Sequence, residues 1–392
     1  MPSVADVMSY ADTLRVRPIR VDEDRCVAVR NRNASCRKCV ESCLASAITV
    51  SNNAVTVDPS ACVDCGACAS VCPTSALMLE DPTFGSTVAS AVKRADAKSG
   101  LGIIACARAA ARHVADDERF AEVPCLGHVS DLTLVELAVA GLDDVVLVDG
   151  DCRTCKYGAA SPFVDASVAC AADLLEAAGS SAIVTRASEF PPEVLVSKRR
   201  QAIRGEDRRG ILMKTGGYVR RVAGNVAQKT LDEKLGRAQE PRTLKDRLGA
   251  GRSGRMPTFQ PDANFALLEG LERASSDAAA LPASDAEVDT RRFGHVSVDE
   301  EACSGCGLCV LFCPTAALVH AEFEQPERED QKYLEFSAEL CTQCGLCADV
   351  CIRRCLEVSG RIRLKDVFNL EPELILISRP KERTSIFDLK KR

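Results

Sequence analysis

Between residues 98 and 190 short aliphatic runs alternate with stretches of helical period. "LGIIAC" (Leu101 to Cys106) and "DVVLVD" (Asp144 to Asp149) are each brief, aliphatic and bounded by turn residues, as buried strands are. Ser130 is placed to cap a helix over Asp131 to Ala140, and Ser161, with Pro162 at the first helical position, opens another that Gly179 closes. "SAIVT" then supplies a third strand. This alternation predicts a small parallel α/β domain, in which binding groups gather at the carboxyl ends of the strands. Cys106 ends the first strand and Cys152 with Cys155 follows the second, while Cys125, in "EVPCLGHV", ends a short segment of its own. Four cysteines are therefore expected on one rim.

Outside this region one unit occurs four times. Val21-Asp22, Val57-Asp58 and Val298-Asp299 stand four residues ahead of Cys26, Cys62 and Cys303, and Phe336-Ser337 holds the same place ahead of Cys341. Each copy ends, four residues after its last cysteine, in a small residue and an aliphatic: Ala47-Ile48, Ala76-Leu77, Ala317-Leu318 and Cys355-Leu356. Three copies read C-x2-C-x2-C-x3-C. In the first, nine residues, "VAVRNRNAS", separate Cys26 from Cys36, Cys39 and Cys43, and the Val-Asp mark identifies Cys26 as the first ligand of an interrupted copy.

Composition fixes the chemistry further. The 392 residues include 22 cysteines, with no secretory-type apolar segment near Met1 and no apolar run long enough to cross a bilayer. A cytoplasmic location is expected, and there such dense cysteine binds metal more often than it pairs. Tryptophan is absent and aromatics are scarce, so metal clusters would also serve as staples for small cores. The net charge of −6 gives no general affinity for nucleic acid. Residues 198 to 256 depart from this, with 17 Lys or Arg against 6 Asp or Glu. That stretch reads either as a solvated basic helix or as a clamp for an acidic partner or for this chain's own acidic ends. Only Tyr218 and Phe259 interleave its charge, which disfavours nucleic acid. "LPASDAEVDT" reads as flexible linker.

Zinc would suit paired C-x2-C knuckles, but not triplets spaced two and two with a displaced fourth thiol. No Cys-x3-Cys-x2-Cys run with a free iron site, as radical S-adenosylmethionine chemistry needs, is present. Residues 20 to 82 and 294 to 360 resemble bacterial-type ferredoxin domains, each with two [4Fe-4S] clusters. The resemblance implies crossed ligation: Cys26, Cys36 and Cys39 with Cys72; Cys62, Cys65 and Cys68 with Cys43; Cys303, Cys306 and Cys309 with Cys351; and Cys341, Cys344 and Cys347 with Cys313. Leu44 and Ile352 stand where that family often has proline, and Arg37 replaces the glycine found at Gly66, Gly307 and Gly345. These departures are expected to tune the clusters.

The central rim admits three readings from its residues: a thioredoxin-like dithiol at Cys152 and Cys155, a structural zinc site, or an iron–sulfur site that also uses Cys106 and Cys125. "IIAC", "VPCLGHV" and "AGLDDVVLVDGDCRTCKYG" resemble the delta iron–sulfur subunit of methyl-viologen-reducing hydrogenases. That resemblance implies a [2Fe-2S] cluster and electron delivery to a flavoprotein. The family usually carries extra cysteines beside Cys106, a wider last pair, and arginine where His128 stands. His128, which could be a ligand, reads more simply as a core or surface histidine, and Cys170 and Cys355 read as packed thiols.

The expected fold is α+β and α/β multidomain. A ferredoxin-like domain spans 1–97, the α/β iron–sulfur domain 98–190, a basic helical connector with flexible linker 191–293, and a second ferredoxin-like domain with a basic tail 294–392. No dinucleotide fingerprint, phosphate loop or acid–base pair is present, so no catalytic residue is named. The expected role is a multi-cluster electron-transfer subunit, relaying single electrons between a catalytic subunit and an acceptor in a hetero-oligomer. The alternative is an iron–sulfur redox sensor.

Overall fold

The computed structural model describes residues 19–95, 99–196, 256–321 and 332–377 of a mixed helix-and-sheet protein. The basic stretch, apart from Met256, and the basic tail from 378 lie outside the described residues.

Strands β1 (Ile19–Val21), β2 (Ile48–Ser51), β3 (Ala54–Val57) and β4 (Leu77–Leu79) frame the N-terminal unit, β1 pairing antiparallel with β4 and β2 with β3. The repeat explains this pairing. The residue that opens each copy donates its amide to the small residue that closes the partner copy: Asp22 to Ala76 (2.7 Å) and Asp58 to Ala47 (2.8 Å) here, Asp299 to Cys355 (2.8 Å) and Ser337 to Ala317 (2.9 Å) in the C-terminal unit. Aspartate recurs because its carboxylate folds the following turn, accepting from the amides of Asp24, Ser60 and Glu301 in the three copies that carry it. Each copy then turns through a left-handed residue just before it closes, Ser46, Ser75, Ala316 and Arg354, with φ between 51° and 58°.

The central sheet has the order β6-β5-β7-β8, all parallel: β5 (Leu101–Cys106), β6 (Ala121–Val123), β7 (Asp144–Val148) and β8 (Ile183–Ala187). β5 is buried along its whole length, as its unbroken aliphatic run requires. Helix α1 (Asp131–Val139) is capped by Ser130, whose hydroxyl accepts from the Thr133 amide, and α2 (Ser161–Ala177) carries proline in its first turn. The strand expected at "SAIVT" begins later, at Ile183.

The expected linker is not one. Helix α3 (Asp262–Ala274) packs Leu267 and Leu271, both fully buried, and its Gly270 lies so close to Val135 of α1 that an added Cβ would meet that side chain at 3.0 Å. "LPASDAEVDT" buries Leu281 and Val288 and forms β9 (Glu287–Asp289). The pattern misled because a polar stretch holding single apolar residues two apart from charges is also how a half-buried edge strand reads.

The C-terminal unit continues with β10 (His295–Val298), β11 (Leu318–His320), β12 (Lys332–Phe336), β13 (Leu356–Ser359), β14 (Arg361–Arg363) and β15 (Glu373–Ile377). β10 pairs with β13 and β9 with β14, while β11, β12 and β15 form a three-stranded antiparallel sheet. One continuous apolar core runs through the central sheet and this unit, and the N-terminal unit has its own. A third cluster, Val27 and Ala34 against Leu346 and Val350, joins the two ends of the chain.

Candidate iron–sulfur sites

The reciprocal closure of the repeat sets the thiols. Asp22 lies four residues before Cys26 and Ala76 four after Cys72, so their hydrogen bond brings the last cysteine of the second copy to the triplet of the first. Cys26, Cys36 and Cys39 accordingly each feel the charge of Cys72. Cys43, Cys62, Cys65 and Cys68 line a second cavity, Cys303, Cys306, Cys309 and Cys351 a third, and Cys313, Cys341, Cys344 and Cys347 a fourth, each with a volume of about 20 Å³. Each of these three cavities gathers the first three cysteines of one copy and the last of its partner copy. Burial pushes the free thiols up, Cys26 and Cys309 to about 11 and Cys39, Cys341 and Cys344 to about 12. A metal cluster loaded there must displace protons. Backbone amides are ready to hold the resulting charge: Ala47 donates to Cys43 Sγ and Ala76 to Cys72 Sγ, both at 3.2 Å.

In the second, third and fourth copies, the residue after the second cysteine is Gly66, Gly307 or Gly345, with φ of 77°, 73° and 75°. Arg37 replaces that glycine in the first copy because the inserted loop reroutes the backbone there, to a φ of −132° that any residue adopts. Its guanidinium braces the loop, donating to the carbonyls of Cys36 (2.8 Å) and Ala34 (3.2 Å).

The central rim is built from three loops. Cys106 caps the turn after β5, Cys125 follows β6, and Cys152 and Cys155 flank a short turn after β7; all four line one cavity of about 290 Å³ with Arg108, Lys156 and Tyr157. Each sulfur is met by a donor: Cys106 by the Ala109 amide (3.4 Å), Cys155 by the Tyr157 amide (3.4 Å), Cys125 by the Gly127 amide, and Cys152 by Arg186 Nη2 (3.1 Å). Arg186, at the end of β8, is held by Asp149 at 3.1 Å and by Asp165. Sequence reasoning missed it; its position at the carboxyl end of a parallel strand was the available signal. Burial raises Cys125 to about 12, with Cys65, Cys106 and Cys152 adding to the effect.

His128 does not line this cavity. It is fully buried, its Nδ1 3.2 Å from the Cys125 carbonyl and its Nε2 3.3 Å from Asp64 Oδ1, and packs against Gly66. It is a core histidine at the junction between the central rim and the second thiol set. Cys170 is likewise packed, 3.8 Å from the Thr290 hydroxyl. Cys355 is buried as expected, but it also lines the third cavity, with its sulfur 3.4 Å from that of Cys351. Burial alone would raise Cys351; hydrogen bonds from the Cys355 amide and thiol outweigh it and hold it below its ordinary value.

Neighbouring sets influence one another electrostatically. Cys125 is within electrostatic reach of Cys65, Cys68 of Cys39, Cys344 of Cys36, and Cys347 of Cys309. The insertion brings the third of these pairs together. Its Val27 and Ala34 pack on Leu346 and Val350, its Ser35 amide donates to Asp349 (2.7 Å), and its buried Arg30 donates to the Phe312 carbonyl at 3.1 Å, close to Cys313 and Cys344.

Residues 55–78 match the family model of the 4Fe-4S binding domain, and residues 302–355 that of the 4Fe-4S dicluster domain. The chain is 46% identical over 43 residues to Ferredoxin 7Fe of Hydrogenibacillus schlegelii, covering 11% of this chain and 55% of that protein. It is 38% identical over 58 residues to Ferredoxin of Streptomyces griseus, covering 15% of this chain and 50% of that one. It thus spans about half the length of the curated relatives it matches. No solved structure matches. The chain carries two 4Fe-4S ferredoxin-type domains. Among the described residues no helix is long and apolar enough to cross a membrane.

Proposed function

We propose that the protein is a multi-cluster electron-transfer subunit, with a [4Fe-4S] cluster at each of the four ferredoxin thiol sets and a [2Fe-2S] cluster at Cys106, Cys125, Cys152 and Cys155. The observation that carries this reading is the close approach of neighbouring thiol sets: the Cys125 loop lies on the Cys65 loop, the first ferredoxin loop packs on Leu346 and Val350, and thiols of successive sets, from the central rim through Cys65, Cys39, Cys344 and Cys309, lie within electrostatic reach. Electrons enter or leave at the ends of this succession: the central rim, whose cavity of about 290 Å³ exceeds the three ferredoxin cavities of about 20 Å³, and the third ferredoxin set, whose Cys306 is exposed. Clusters supply the redox change. The chain's own residues fix their order and donate hydrogen bonds to their sulfurs.

A thioredoxin-like dithiol would use Cys152 and Cys155 and leave the convergent Cys106 and Cys125 without a role. A single zinc ion is disfavoured because no three thiols among the described residues converge tightly enough to hold one ion. The resemblance to the hydrogenase delta subunit supports a catalytic oxidoreductase subunit at one end, of hydrogenase, formate or aldehyde oxidoreductase, or heterodisulfide-reductase-like type, and a flavoprotein or other acceptor at the other. Iron and acid-labile sulfide analysis of the anaerobically purified chain tests the cluster count. About 18 irons are expected; about 20 would make the central centre [4Fe-4S], and about 16 would leave it a dithiol or zinc site.

A further inference from the structure

Five thiols, not four, line the third ferredoxin cavity: Cys303, Cys306, Cys309, Cys351 and Cys355. In the other three copies the closing position holds alanine, Ala47, Ala76 or Ala317, which can only lend its amide to the preceding ligand. Cys355 lends that amide as well, to Cys351 Sγ at 3.4 Å, and adds a sulfur 3.4 Å from the same atom. Cys303, Cys351 and Cys355 all line this one cavity. At 3.4 Å the two sulfurs are far outside the roughly 2.05 Å of a disulfide, so both remain available as donors. The left-handed turn at Arg354, with φ of 52°, and the hydrogen bond from Arg353 to the Ala302 carbonyl (3.2 Å) hold the two cysteines on this rim.

We propose that Cys355 is a reserve ligand of this cluster, able to take the place of Cys351. In the exchange one iron–sulfur bond, to Cys351, breaks and one, to Cys355, forms. The proton of the Cys355 thiol passes to the released Cys351 sulfur, and no electron is gained or lost. The proposal rests on the reading that this cavity holds a [4Fe-4S] cluster, which the iron count of the unaltered chain tests separately.

The test compares Cys351→Ala, Cys355→Ala, the double variant and Cys309→Ala, each as the full chain purified without oxygen, by iron and sulfide content and by electron paramagnetic resonance after reduction. Cys309 has no spare thiol of this kind beside it, so its loss should cost between about one and about four irons and remove or convert one signal. Cys351→Ala is expected to keep the full iron content with that signal shifted, Cys355→Ala to keep the full iron content, and the double variant to behave like Cys309→Ala. Loss of iron from Cys351→Ala equal to that of the double variant would overturn the proposal. So would a Cys351→Ala chain that fails to fold while Cys309→Ala folds.

Discussion

A thiolate site is tuned by what donates to its sulfurs, and Arg186 is the clearest case. Its guanidinium bonds Cys152 Sγ while Asp149 and Asp165 hold it in place, with its side chain largely buried. A positive donor favours the more negative, reduced state of a cluster. Arg186→Gln should therefore lower the potential of the central centre by tens of millivolts, with about 59 mV marking a tenfold change in a one-electron equilibrium. Spectroelectrochemistry of the full chain reads this directly, the other centres serving as internal controls. An unchanged or raised central potential would leave Arg186 a merely structural side chain. Arg37, the basic residue that sequence singled out, is spent instead on the carbonyls of its own loop.

Elements bring these residues together through close approaches that leave no space for larger side chains. A Cβ on Gly127 would meet the Cys65 carbonyl oxygen at 2.4 Å, because the loop carrying Cys125 lies directly on the second ferredoxin loop. Gly127→Ala should cost about 1–3 kcal/mol by overpacking. It should also slow transfer between the central rim and the neighbouring cluster, which rapid-mixing reduction would register as a delayed central signal. The repeats were legible because their aspartate and glycine markers act locally, the aspartate by folding a turn and the glycine by taking a left-handed φ. The capped helix at Ser130 was legible for the same reason. What "VAVRNRNAS" does was not. Its Val27 and Ala34 show no period of their own, and their partners, Leu346 and Val350, lie some three hundred residues away. The same holds for α3, whose Asn264 bonds the carbonyls of Glu339 and Cys341 at 3.2 Å and whose Asp262 pairs with Arg25 at 2.7 Å.

The whole molecule is held in register by a buried ion pair at the meeting of its three parts. Arg292 of the C-terminal unit bonds Asp131 of the central domain at 2.7 Å and reaches the Ser70 carbonyl of the N-terminal unit at 3.4 Å. Burial alone would raise the Asp131 carboxyl; Arg292 and Arg291 outweigh it and hold it below the usual carboxylate range. Asp131→Ala strands Arg292 in the interior and should cost about 3–5 kcal/mol. Denaturant unfolding of the loaded chain would show it, and a loss within about 0.5 kcal/mol, as for an ordinary surface site, would mean the pair does not organise the assembly. The central claim is that the clusters form one connected row, and the most direct measurement is electron paramagnetic resonance of the fully reduced chain. Clusters in the order set by Cys65, Cys39, Cys344 and Cys309 should give spectra broadened by mutual magnetic coupling, including coupling between the two ferredoxin units where Val27 and Ala34 pack on Leu346 and Val350. A spectrum that is the plain sum of isolated cluster signals would contradict the account.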